Sequence, residues 1–91
     1  MTPRILVYHR QGCHLCEQVV ASLFQLQQEL GYEIEQIDID SDPQLMNKYN
    51  ADVPVVLFNN EVIFYHFFDE IALREALIHT DVTGKQNYGT S

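Results

Sequence analysis

The chain has 91 residues, 13 of them acidic against 5 basic, for a formal net charge of −8, and 46% of it is hydrophobic. This length suffices for one core and not for two, with about 60% of the unfolded chain's surface buried on folding. The acidity leaves no basic stripe on which nucleic acid would dock, and two cysteines are too few for the disulfide framework of a small secreted domain. No apolar run reaches signal or membrane-spanning length, so a cytoplasmic monomer without nucleic-acid or membrane partners is expected.

Ile5, Leu6, Val7 and Tyr8 are apolar on consecutive positions, so residues 4–8 predict a central strand covered on both faces. Cys13-His14-Leu15-Cys16 follows, at the junction with a helical pattern that starts at Glu17. Cys16, Val19, Val20, Leu23, Phe24 and Leu30 recur at three- and four-residue steps, and Gly31 stands where a left-handed cap ends a helix. Residues 32–39 carry Ile34, Ile37 and Ile39 among Glu33, Glu35, Gln36 and Asp38, an imperfect alternation suited to a strand near a sheet edge. The strand–helix–strand unit is parallel and right-handed by default.

Asp40-Ser41-Asp42-Pro43 joins a cap residue to proline at a first helical position, opening a short helix through Leu45, Met46 and Tyr49 that Asn50 closes. Residues 55–58 and 61–64 are strand-like runs joined by Asn59-Asn60, a pair that tolerates the positive φ of a tight hairpin turn. Asp69 caps a last helix with Ala72, Leu73, Ala76 and Leu77 on its apolar face. The order is β-α-β-α-β-β-α in one domain, residues 1–79, followed by a polar tail, residues 80–91, that is expected to be loose.

Chemistry concentrates at the two cysteines. The thiolate is the species that attacks disulfides, and an ordinary thiol with a pKa of about 8.5 is mostly protonated at neutral pH. At the first turn of a helix, unpaired N–H groups and the positive end of the macrodipole favour an anion, which selects Cys13 as nucleophile. The three-residue step places Cys16 about one turn on, within reach of a mixed disulfide held on Cys13. Two other readings stay open. In one, the thiolates are half of a zinc or iron–sulfur site completed by His9, His14 or a second subunit; in the other, they are a redox switch on a binding scaffold.

A strand, a C-x-x-C at a helix start, a βαβ unit and Val53-Pro54 immediately before a hairpin together resemble the thioredoxin fold, and over residues 4–78 the chain is similar to glutaredoxin. The stretch from Val7 to Cys16 is similar to the glutaredoxin active-site segment, in which a basic residue lies three positions before the nucleophile, as Arg10 does here. The C-x-L-C, Asp38-Ile39-Asp40 and Phe68-Asp69 match a particular glutaredoxin-like group. The resemblance implies an α/β thioredoxin-like fold, a four-stranded mixed sheet flanked by three helices. It implies a dithiol–disulfide oxidoreductase that cycles Cys13 and Cys16 to reduce protein disulfides, with a reductase or glutathione as electron donor and neither a metal nor a tightly bound cofactor. Arg10, Val53 and Pro54 would bind substrate, with Pro54 in the cis form.

Two departures stand out. His14-Leu15 replaces the usual Pro-Tyr between the cysteines, and His14 is either a stabiliser of the thiolate when protonated or an exposed spacer. Tyr65-His66-Phe67-Phe68 stands in the region where a Gly-Gly lets glutathione approach the backbone. Tyr65 and His66 therefore either fill the groove or wall it for a protein-borne disulfide, and glutathione is expected to be a weak co-substrate.

Overall fold

The computed structural model describes residues 2–79; the tail at 80–91 lies outside the described residues. In chain order the elements are β1 (Arg4–His9), α1 (His14–Leu30), β2 (Glu33–Asp38), a 3-10 turn (Ile39–Ser41), α2 (Pro43–Tyr49), β3 (Val55–Phe58), β4 (Glu61–Tyr65) and α3 (Glu70–His79). One four-stranded sheet forms in the order β2-β1-β3-β4. β1 runs parallel to β2 and antiparallel to β3, and β3 and β4 form the antiparallel hairpin.

This order explains the apolar patterns. β1 and β3 are internal, so both faces are covered and Val55, Val56, Leu57 and Phe58 are all buried. Alternate side chains then feed two layers. Ile5, Val7, Val56, Phe58 and Phe64 pack with Val19 and Leu23 of α1 and Leu73 of α3, whereas Val55 and Leu57 pack with Ile39 and with Tyr49 of α2. β2 lies at an edge, with Glu33, Glu35 and Gln36 exposed, as its weaker alternation predicts.

Local signals set most boundaries. Asp42 accepts a hydrogen bond from the Gln44 N–H at 2.9 Å with Pro43 opening α2, and Asp69 accepts from the Ala72 N–H at 3.0 Å at the start of α3. Asn59 and Asn60 both take positive φ, 53° and 67°, in the hairpin turn. Gly31 ends α1 at φ 73°, its N–H donating to the Gln27 carbonyl at 2.8 Å. Phe24 departs from expectation: it is 49% exposed, and Leu26 packs against the core in the sequence Val19, Leu23, Leu26, Leu30. Phe24 lies about 100° around the helix from Leu23, at the margin of the stripe.

Candidate active site

Four segments leave the sheet at one end. The register pairs Tyr8 with Val55, His9 with Asp38, and Val55 with Tyr65. The loop carrying Cys13, the 3-10 turn after β2, the Val53-Pro54 entry to β3 and the segment after Tyr65 therefore meet at the carboxyl ends of the parallel strands, where sites in open α/β sheets lie.

Between β1 and α1 the chain turns through Gly12 at φ 77°, a conformation that glycine adopts without strain. α1 then starts at His14, three residues before the pattern beginning at Glu17, because Cys13 is itself the N-cap. Cys13 is extended at φ −91° and ψ 105°, and its Sγ accepts a hydrogen bond from the Cys16 N–H at 3.1 Å. The Glu17 N–H donates to the Cys13 carbonyl at 3.1 Å. The two cysteines are joined as a disulfide across a Cα separation of 5.2 Å. Cys13 is half-buried and Cys16 only 3% exposed, so Cys13 is the more accessible of the two. On reduction, a Cys13 thiolate occupies the acceptor position that Asp or Ser holds in an ordinary cap, at the positive end of a 17-residue helix.

Nearby charges act in both directions. Glu17 in the first turn opposes a thiolate, and exposed His14 places Nδ1 3.8 Å from its carboxylate, a pair that is ionic only when His14 is protonated. Arg10 is turned toward the protein's own acceptors: Nη2 lies 2.9 Å and Nε 3.4 Å from the Asp40 carboxylate, and Nη1 donates to Asn50 Oδ1 at 2.6 Å. Asp40 and Asn50 are site residues that sequence reading missed as such. Asp40 belongs to the Asp38-Ile39-Asp40 stretch, but no local pattern links it to Arg10, 30 residues away.

On the hairpin side, the Val53–Pro54 peptide bond is cis, as expected, and Pro54 is buried. The Pro54 carbonyl accepts from the His66 N–H at 2.8 Å. His66, at φ 63°, forms a three-residue turn in which the Phe67 N–H donates to the Tyr65 carbonyl at 2.6 Å. This turn divides the aromatic run. Tyr65 and Phe67 point outward, 46% and 68% exposed, while Phe68 turns back onto Phe64 with ring centroids 5.7 Å apart. His66 lies between the outer two rings, 6.3 Å from each.

A groove of about 470 Å³ opens beside the disulfide on the β2 side, lined by His9, Arg10, Gly12, Cys16, Glu17 and Gln36. A second, of about 430 Å³, lies between the hairpin turn and α3 and touches neither cysteine. Among the described residues, no three His, Cys, Asp or Glu side chains stand together as a metal ion requires, and no helix is long and apolar enough to cross a membrane.

The chain is similar to known proteins. The "Glutaredoxin-like protein YDR286C homolog" of Dictyostelium discoideum is 33% identical over 72 residues, which cover 72% of this chain and 67% of that protein. The solution structure of protein Ne2328 from Nitrosomonas europaea superposes with a TM-score of 0.76 at 36% identity, covering 84% of this chain and 92% of that one. Fasciola hepatica thioredoxin, at 18% identity, a TM-score of 0.56 and coverage of 86% and 80%, shares the fold alone. The family model "Glutaredoxin-like domain (DUF836)" matches residues 4–78, nearly the whole described chain, and with the thioredoxin-like topology and the C-x-x-C at the start of α1 it places the protein in that glutaredoxin-like family.

Proposed function

We propose that the protein is a dithiol–disulfide oxidoreductase that reduces protein disulfides through Cys13 and Cys16. The observation that carries this reading is the half-buried Cys13 sulfur at the N-cap of α1, with its partner sulfur buried one turn behind it. In the reduced protein the Cys13 thiolate attacks one sulfur of a substrate disulfide, and the other sulfur leaves as a thiolate that takes up a proton. Cys16, losing its own proton, then attacks Cys13 and releases the second substrate thiol. Two electrons have passed to the substrate, and the Cys13–Cys16 disulfide remains. A dithiol reductase or glutathione restores the dithiol. Val53 and Pro54 offer the backbone edge along which an extended substrate segment lies.

The protein acts as a cytoplasmic monomer in this account, since thiol donors keep that compartment reducing. Exposed Tyr65 and Phe67 favour a protein-borne disulfide over a small anionic one, as does the net charge of −8. The test is turnover measured side by side, with glutathione plus glutathione reductase and with thioredoxin reductase, on a protein disulfide. Turnover dependent on both cysteines supports the reading; failure with both donors removes it.

A further inference from the structure

Arg10 joins three loops at the site end of the sheet. It lies three residues before Cys13; Asp40 belongs to the 3-10 turn after β2; and Asn50 caps the C-terminus of α2, four residues before Pro54. One guanidinium fork holds the Asp40 carboxylate through Nε and Nη2 and Asn50 Oδ1 through Nη1. Asp40 is itself fixed, because Asp38 Oδ1 accepts from its N–H at 2.9 Å and the Asp38 carbonyl accepts from Ser41 Oγ at 2.7 Å. Beyond Asn50 the chain turns with the Asp52 N–H donating to the Tyr49 carbonyl at 2.8 Å and then enters Val53-Pro54.

Resting on the proposed function, we propose that Arg10 is a positioning residue that locks the Cys13 loop and the segment leading to Pro54 into one frame through Asp40 and Asn50. A disulfide carried on a protein must satisfy two constraints at once, its backbone along Val53-Pro54 and its sulfur at Cys13. A small disulfide meets only the second. Arg10 therefore governs the reaction of large substrates, and its positive charge is spent on Asp40 rather than offered to the thiolate. A lysine cannot replace it, since one ammonium does not reproduce the planar fork that reaches two acceptors.

The experiment compares wild type with Arg10→Ala, Arg10→Lys, Asp40→Ala and Asn50→Ala by three readouts: backbone hydrogen exchange, the pH dependence of Cys13 alkylation, and kcat/KM for a protein disulfide against a small uncharged disulfide. In Arg10→Ala, protection falls together at residues 10–13 and 50–53. The ratio of protein-disulfide to small-disulfide kcat/KM falls about tenfold, short of the ~100-fold that a 1 Å misplacement costs. Arg10→Lys fails to restore the ratio, and Asn50→Ala and Asp40→Ala lower it without moving the alkylation profile toward acid. Were Arg10 a direct partner of the thiolate, Asp40→Ala would free the guanidinium, shift that profile to lower pH and speed both substrates; this result overturns the proposal. Unchanged protection at residues 50–53 in Arg10→Ala overturns it as well. That readout needs no turnover, so it judges the latch even if the wild type reduces nothing and the functional reading fails.

Discussion

The Cys16 N–H donates to the Sγ of Cys13 at 3.1 Å, so the backbone of the second cysteine caps the sulfur of the first. The two thiols of the reduced protein are consequently unequal in charge stabilisation as well as in exposure. Cys13 should alkylate with a pKa below the ordinary value of about 8.5, and Cys16 should react more slowly at every pH. Cys13→Ser should abolish exchange, whereas Cys16→Ser should permit one attack and accumulate a mixed disulfide visible by mass. Equal reactivity of the two thiols would remove the assignment of roles.

In the proposed function, Tyr65 and His66 decide between glutathione and a protein disulfide, and replacing them tests this. His66 already sits at φ 63°, where glycine is unstrained, so Tyr65→Gly combined with His66→Gly should fold and open the backbone beside Pro54. Glutathione-coupled turnover should rise. The KM for a protein disulfide should rise about fivefold, the equivalent of about 1 kcal/mol of lost aromatic contact. Unaltered kinetics with both substrates would show that these side chains do not border the substrate.

Tyr32 gives the fold an alkaline limit. Its ring is 2% exposed, its hydroxyl donates to the Leu23 carbonyl, and burial pushes the phenol from the ordinary 10.0 up to about 12. Between these values the unfolded chain has lost the proton that the folded one keeps, so stability falls as pH rises from about 10 to about 12. Denaturant midpoints across this range should decline in the wild type and less steeply in Tyr32→Phe. At neutral pH that variant should be destabilised by about 1 kcal/mol through the loss of this one hydrogen bond.

Gly31 ends α1 in the left-handed region with open space where a Cβ would stand. Gly31→Ala should therefore cost only the backbone term, roughly 1–2 kcal/mol, read as a lower denaturant midpoint at constant slope. A neutral effect would mean that the cap relaxes.

Elements whose signals are local were legible in the sequence: Asp42-Pro43 opening α2, Asn59-Asn60 at the hairpin, Gly31 closing α1. The unbroken apolar runs of β1 and β3 marked strands with two covered faces. The sequence pattern starts at Glu17 whereas α1 begins at His14, because cysteine is not among the usual cap residues and gives no local start signal. The fate of Tyr65, Phe67 and Phe68 depends on one positive φ at His66, which a string of aromatics does not encode. The Arg10 contacts span 30 and 40 residues, and only the sheet register brings their partners together.

Counting protein disulfides reduced per chain, with a dithiol reductant in excess, tests the central claim most directly. The predicted result is many turnovers per chain, lost in Cys13→Ser. Reduction that stops at one disulfide per chain, or that proceeds at the same rate in Cys13→Ser, would contradict it.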